Sequence, residues 1–342
     1  MSSPVLIWGG GAIGGTIAGF LAEAGHRIII VDAAGDHVAA IRRDGLKISG
    51  PVKSFVARCD AFTPDELTGS FDLILLAVKA QHTEGAVNML RPHLSKDGAI
   101  VSVQNGLNEK IIAEMMGVER TVGCFINFTA DYIGPGHIEY GGRGAVVVGE
   151  IDGKTRPRTK KIHNLLLDFD SDTKLSDNIF GYLWSKMAFF ALLLSQTLSD
   201  TPTAEFLDDP KFRPLIHRMV GEVARVADAE GIRLMEFQGF DAASFVKGDI
   251  AAMNRSIDDY AEARRGSSKL YSGFWRDLAI RKRPTEVASQ SAPIFQVAVE
   301  HGVGIPIFTR AVAMIAEIEN GQTALNVGLA DELLARIAAE RR

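Results

Sequence analysis

Lys186 stands in Leu-Trp-Ser-Lys-Met and leads into Ala-Phe-Phe-Ala-Leu-Leu-Leu, a run with few polar neighbours. Burial strips hydration from an ammonium and lowers its pKa, which makes such a lysine a usable proton donor to an oxygen that gains negative charge. The same spacing also suits a lysine at a helix start that extends its tip to solvent. Lys79 and Asn105 each follow an apolar run, in Leu-Ala-Val-Lys-Ala-Gln and Val-Gln-Asn-Gly, so parallel strands there would bring both out at one sheet edge. Asn105 also reads as half of an Asn-Gly turn, and Lys79 as a solvated loop charge; Gln81 and Gln104 beside them are weaker candidates. Glu286, in Arg-Pro-Thr-Glu-Val, offers a carboxylate that could accept from a ligand hydroxyl or hold Lys186 in place. A first-turn acid answering a helix dipole is the plainer alternative. Ser267 and Ser268 could meet a carboxylate or belong to an ordinary Gly-Ser-Ser loop. No histidine is spaced for a triad, and no His, Cys, Asp or Glu cluster has metal-ligand spacing.

These side chains need a scaffold, and its clearest part is Val5 to Gly14, Val-Leu-Ile-Trp-Gly-Gly-Gly-Ala-Ile-Gly. A buried strand runs into Gly9, Gly11 and Gly14 and then into a helical stretch. Gly9 permits a tight turn, Gly11 lets backbone approach a pyrophosphate, and Gly14 lets helix and strand pack closely. The helix N-terminus, with Ala12 and Ile13, faces the phosphate charge. A second apolar run, Arg27 to Val31, ends at Asp32, whose carboxylate can accept from the hydroxyls of an adenosine ribose. Strand, glycine turn, helix, second strand and acid in register predict a dinucleotide site.

The first half continues in this rhythm, with strands near 4–8, 27–32, 72–77 and 99–103 and helices near 12–24, 36–43, 81–91 and 107–116. Alternation of this kind predicts an α/β fold with a Rossmann-type, doubly wound sheet. Residues 45–57 read as an inserted hairpin, and 121–149 as more strands extending the sheet. From about 178 onward the pattern is helical, clearest in 178–198, 211–230, 289–301 and 307–340. The division expected is a dinucleotide-binding domain over 1–175 and an all-helical domain for substrate and dimerisation over 176–342. Ligands of open α/β sheets sit beyond the carboxyl ends of the strands, so the active site is expected in a cleft between the two domains.

The 342 residues carry 46% hydrophobic residues and a net charge of −5, which suits two ordinary cores and argues against nucleic acid as a partner. Cys59 and Cys124 are too few and too far apart for a disulfide framework, and read as packing residues of a reducing compartment. The longest apolar stretch, Met187 to Leu194, is too short to span a bilayer. A cytoplasmic protein without a membrane partner is expected. Tyr182 and Lys186 have the Tyr-x-x-x-Lys spacing of short-chain dehydrogenases, but they follow the sheet domain and are taken as coincidence.

As a set, these motifs resemble the ketopantoate reductase (2-dehydropantoate 2-reductase) family. The likeness runs through Gly-Gly-Gly-Ala-Ile-Gly at 9–14, Ala-Ile-Arg-Arg-Asp-Gly-Leu at 40–46, Val-Lys-Ala at 78–80 and Gln-Asn-Gly-Leu at 104–107. It continues in Leu-Trp-Ser-Lys-Met at 183–187, Ser-Ser-Lys at 267–269 and Arg-Pro-Thr-Glu at 283–286. The resemblance implies an oxidoreductase in which Lys186 is the general acid, Glu286 binds substrate, and Asn105 and Lys79 lie at cofactor and substrate. It further implies that Ser268 meets the substrate carboxylate and that the chain is a homodimer. In that family NADPH reduces ketopantoate to pantoate, on the way to pantothenate and coenzyme A.

Three departures follow. Phe190 and Leu194 occupy the substrate-face positions where ketopantoate-reducing members carry asparagines, which favours a bulkier or more apolar substrate. The stretch from Ser268 to Glu286 is longer and more basic than usual, with Lys269, Tyr271 and Arg276 as anion-binding or lid candidates. Asp32 stands near the place of an arginine that meets the 2′-phosphate of NADP, which favours NAD(H), while Arg42 and Arg43 keep NADP(H) open. Two further readings stand beside reduction of ketopantoate: an NAD-dependent catabolic dehydrogenase for a more apolar hydroxy acid, and a non-catalytic dinucleotide sensor.

Overall fold

The computed structural model describes residues 3–266 and 270–340. The chain divides into two compact units, Met1–Ile179 and Phe180–Arg342.

In the first unit, strands β1 (Val5–Trp8), β2 (Ile28–Val31), β5 (Asp60–Phe62), β6 (Phe71–Leu76), β7 (Leu94–Ser102) and β8 (Thr121–Ile126) run parallel in one sheet. Antiparallel β11 (Val146–Glu150) and the short β12 (Lys174–Leu175) complete it, giving the order β12-β11-β8-β7-β6-β1-β2-β5. Helices α1 (Ala12–Glu23), α2 (Gly35–Asp44), α3 (Thr83–Leu90), α4 (Glu109–Met116) and α5 (Pro157–Leu167) connect or cover the strands. All four residues of β1 are buried, as expected for a parallel strand covered on both faces. Val5 and Ile7 enter one apolar cluster with Ile17 and Leu21 of α1, while Leu6 and Trp8 enter another with Val87 and Leu90 of α3. Strand order reverses beside β1: β2 and β5 lie on one side, β6 to β8 on the other.

Residues 46–57 form the expected hairpin, β3 (Leu46–Ser49) with β4 (Phe55–Ala57). The 121–149 region departs from expectation, because only β8 and β11 extend the main sheet. Its middle strands, β9 (Thr129–Gly134) and β10 (His137–Gly142), join the hairpin in a separate four-stranded sheet of order β4-β3-β10-β9. Helix α1 runs between the two sheets. A Cβ on Gly14 would lie 2.7 Å from Ala77 Cβ, whereas one on Gly15 would meet Ile138 of β10 and one on Gly19 would meet Ile48 of β3 at 2.9 Å. Glycines thin the helix on both faces.

The second unit is built of helices: α6 (Ile179–Thr197, beginning at the division), α7 (Thr203–Asp208), α8 (Arg213–Ala229), α9 (Ala242–Lys247), α10 (Ile250–Arg265), α11 (Gly273–Ala279), α12 (Val287–Glu300), α13 (Pro306–Glu319) and α14 (Gly328–Glu340). By length and composition α6 is apolar enough to cross a bilayer, but 83% of that stretch is buried in the protein, so its apolar surface is spent on packing. Glu222 of α8, fully buried, accepts from the backbone N–H of Phe308 at 2.8 Å and of Ile307 at 3.3 Å at the start of α13, and pairs with Arg218 Nε at 2.7 Å. An anion at a helix N-terminus satisfies orphan amides and opposes the helix dipole. The helical pattern expected over 307–340 is two helices, because Gly321 takes a φ of +70° and ends the first.

Candidate functional site

The reversal of strand order beside β1 creates a crevice at the carboxyl ends of β1 and β6, the place where open α/β sheets bind ligands. The glycine turn fills it. Gly9 has φ +103°, and a Cβ there would press on the backbone of Ala77 and Val78 at 2.9 Å, so only glycine fits between the two strand ends. Gly14 is tighter still, with a Cβ position 2.0 Å from the Gly9 carbonyl oxygen. Gly11 differs from both: nothing lies within 4 Å of the place a Cβ would take. It is the N-cap of α1, and no side chain caps that helix. The first amides of a helix have no acceptor within it, so those of Ala12 and Ile13 remain for an anion. This open cradle, with no acid in the first turn of α1, fits a dinucleotide pyrophosphate.

Asp32, one residue past β2, is half-buried and latches the turn. Its Oδ2 accepts from Gly10 N–H at 2.8 Å and its Oδ1 from Ala34 N–H at 2.9 Å. A carboxylate offers about four lone-pair sites, so both oxygens retain capacity for a ribose hydroxyl. Arg42 and Arg43 are engaged elsewhere. Arg42 forks onto Glu66 and donates from Nε to Ala61 O at 2.6 Å, and Arg43 pairs with Asp44 at 2.7 Å. The Arg42 guanidinium holds the exposed Glu66 carboxyl at about 2, well below the usual carboxylate range.

Lys79 and Asn105 both follow their strands at this edge, on loops that a buried polar network joins. Gln104, 3% exposed, donates to Val78 O at 2.8 Å and to Thr83 Oγ1 at 2.9 Å; Thr83 Oγ1 donates to Asn108 Oδ1 at 3.1 Å. Asn108 Nδ2 donates to the Asn105 carbonyl at 2.8 Å. Gly106 has φ +101°, so the Asn-Gly turn is present, and the half-buried Asn105 side chain stands upon it. Lys79 is exposed. Gln104, weak by sequence, braces the two loops. His37 is a second residue the sequence reading passed over: it is 1% exposed, and its Nε2 lies 2.9 Å from the Gly10 carbonyl oxygen. The available signal was its place with Ile41, one turn apart on the buried face of α2.

In the helical unit Lys186 is half-buried, the eighth residue of α6 rather than its head, because Ile179 to Ser185 already extend the apolar helix. Phe190 and Leu194, one and two turns on, are buried at 3% and 0% exposure, and Phe190 packs edge-on against Phe274 at 5.3 Å and Phe308 at 6.1 Å. Glu286 is the half-buried N-cap of α12, yet its side chain makes no capping hydrogen bond. Thr285 serves that end instead, donating to Glu319 and accepting from Val287 N–H at 3.2 Å. The Ser268 and Lys269 assignments lie outside the described residues. Beyond them, Tyr271 stacks on Trp275 at 3.7 Å and Ser272 caps α11, while Asp277 pairs with Arg281 and Arg283 and so offsets part of the basic run.

Two family models match, "Ketopantoate reductase PanE/ApbA" over residues 5–153 and its C-terminal counterpart over 178–319. A 2-dehydropantoate 2-reductase from Pyrococcus abyssi is 28% identical over 276 residues, covering 80% of this chain and 85% of the relative. A ketopantoate reductase from Ralstonia eutropha shares the fold at TM-score 0.78 and 23% identity, covering 93% of this chain and 99% of its own. D-mandelate dehydrogenase, in a structure with NADH and anilino(oxo)acetate, does so at TM-score 0.80 and 22% identity over the same shares. The chain belongs to the ketopantoate reductase family and is an NAD(P)-dependent oxidoreductase of hydroxy-acid and keto-acid pairs.

Proposed function

We propose that the chain interconverts a 2-oxo acid and its 2-hydroxy acid with NAD(H), and that 2-dehydropantoate is the first substrate to assay. The observation that carries the cofactor reading is the open glycine cradle latched to Asp32. A bound nicotinamide supplies the hydride. The cofactor would be held by Gly9, Gly11, Ala12, Ile13 and Gly14 at the pyrophosphate and by Asp32 at the ribose, with Lys79 and Asn105 nearer the reacting end. Lys186 holds the proton for the carbonyl oxygen as negative charge develops there. Glu286 and Asn105 orient the substrate, and orientation contributes much of the rate in such steps. Preference for NAD(H) follows from charge: Asp32 repels a 2′-phosphate, and Arg42 and Arg43 are both committed to carboxylates.

A second reading has a specific observation behind it. Phe190 and Leu194, expected from the resemblance to face the substrate, are instead packed inside the helical unit, so neither position supplies the amide hydrogen bonds, about 1 kcal/mol each, that would favour a small hydroxylated acid. The similarity in fold to D-mandelate dehydrogenase, named for an aromatic hydroxy acid, supports this reading. Oxidation of a more apolar hydroxy acid is therefore the alternative within the same chemistry. Steady-state rates with 2-dehydropantoate and an aryl 2-oxo acid, each with NADH and NADPH, separate the two. High kcat/KM for 2-dehydropantoate supports the first reading, and selective turnover of the aryl acid supports the second. Turnover with NADPH alone would refute the role given to Asp32. Lys186→Ala should lower kcat by about 100-fold or more with NADH affinity unchanged; unaltered kcat would remove Lys186 as the acid. A cytoplasmic homodimer completes the proposal, and light scattering of the purified chain tests the dimer.

A further inference from the structure

The amide and the carbonyl of Gly10 are both gripped by side chains, although the glycine turn contributes none of its own. Asp32 Oδ2 holds the Gly10 N–H at 2.8 Å, and His37 Nε2 meets the Gly10 carbonyl oxygen at 2.9 Å. The proton position follows from the partners. Gly136 N–H donates to His37 Nδ1 at 2.9 Å, so Nδ1 carries no proton and Nε2–H is the donor to Gly10. The imidazole is thus a bridge from the β9–β10 turn of the second sheet to the glycine turn of the first. Tyr132 of β9 covers it edge-on at 5.2 Å.

A trans peptide is planar, with its C=O and the following N–H on opposite sides. Fixing the Gly10 carbonyl against His37 therefore fixes the Gly11 N–H to point away from His37. Without that hold, a peptide between two glycines has many orientations to lose when an anion binds. We propose that His37 is a positioning residue for the dinucleotide, setting the Gly10–Gly11 peptide so that the turn meets the pyrophosphate already arranged. The second sheet thereby acts on the cofactor without touching it. This inference rests on the cofactor reading above.

Two substitutions divide the bridge. In His37→Asn the amide sits near the place of Nδ1 and can serve Gly136, but it is too short to reach Gly10. In His37→Gln the amide reaches the place of Nε2 and can donate to Gly10. NADH affinity by fluorescence titration, kcat and KM at saturating substrate, and Tm are measured for both variants and the parent. The expected result is that His37→Asn weakens NADH by about tenfold, the scale of one lost hydrogen bond, with kcat at saturating NADH nearly unchanged. His37→Gln should restore affinity to within about threefold of the parent. Equal loss in both variants, loss that follows Tm rather than the donor, or no loss in either would overturn the proposal. NADH binding to the parent keeps the two claims apart: a parent that does not bind NADH refutes the cofactor reading, whereas a binding parent with indifferent variants refutes only the role of His37.

Discussion

Adding one methyl group at Gly11 separates the fold from the cofactor site. The Cβ of Gly11→Ala would have no neighbour within 4 Å, and the φ of −67° is open to alanine. The cost to folding is therefore limited to the poorer N-cap preference of alanine, at most about 1 kcal/mol. For a pyrophosphate held on this turn, the same methyl takes up open space beside the helix start, where phosphate oxygens must come to within about 3 Å of the Ala12 and Ile13 amides to accept from them. Losing two charge-assisted hydrogen bonds at about 1.5 kcal/mol each gives about 3 kcal/mol, or roughly 100-fold in Kd. NADH titration by fluorescence, paired with thermal melting, reads both quantities in one preparation. Gly14→Ala is the contrast, because its Cβ would overlap the Gly9 carbonyl oxygen at 2.0 Å and should lower Tm together with affinity. A Gly11→Ala protein that keeps the parent's Tm and binds NADH within about threefold would show that the pyrophosphate does not lie on this turn. The assignment of Gly11, Ala12 and Ile13 would then fall.

Further outcomes follow from the same contacts. Glu222→Ala leaves the buried backbone N–H groups of Ile307 and Phe308 without their acceptor, while Arg218 keeps Glu340 as a partner, so urea unfolding should show a loss of about 2–3 kcal/mol; a loss under about 0.5 kcal/mol would mean that water replaces the carboxylate at no cost. Gln104→Leu leaves the Val78 carbonyl without its donor and should cost about 1–2 kcal/mol, with weaker NADH binding as the two loops loosen. Unchanged affinity at reduced stability would make Gln104 purely a core residue. Burial pushes the Cys59 thiol up to about 12, and Cys124 is fully buried, so alkylation at pH 8 should be slow. The Cys59 rate should rise about tenfold per pH unit as the thiolate forms below that pKa; rapid, pH-independent labelling of the native protein would contradict the burial.

The parts of the site that sequence reveals are those made by neighbours in the chain. Gly9 to Gly14 lie between one strand and one helix, so their spacing carries the turn. Asp32 needed only the end of β2. Lys79 and Asn105 were placed correctly after β6 and β7 because each strand ends in a recognisable apolar run. What escaped depends on pairing across long separations. β9 and β10 read as further strands of the main sheet, since Thr129–Gly134 has no burial pattern that names its partner, and β10 pairs with β3 from far earlier in the chain. His37 looks like any polar residue on a charged helix until Gly10 and Gly136 converge on it. The break at Gly321 was hidden because the flanking helices α13 and α14 keep similar apolar spacing across it.

Helix α1, thinned by glycines and seated between two sheets, has a consequence for the order in which the protein is made. Its start and the glycine turn are complete once the first two dozen residues are synthesised. The wall against Gly15 comes from Ile138, and the Gly136–His37 hydrogen bond behind the turn spans 99 positions. Contacts of such separation form late, because the closure of a long loop must precede them. A nascent chain that ends before β10 would carry the whole glycine motif and lack the groove that shapes it. Competence to hold a nucleotide would then mark the completion of the first unit, and release of a chain truncated before residue 136 should yield a species with helical content but no affinity for NADH.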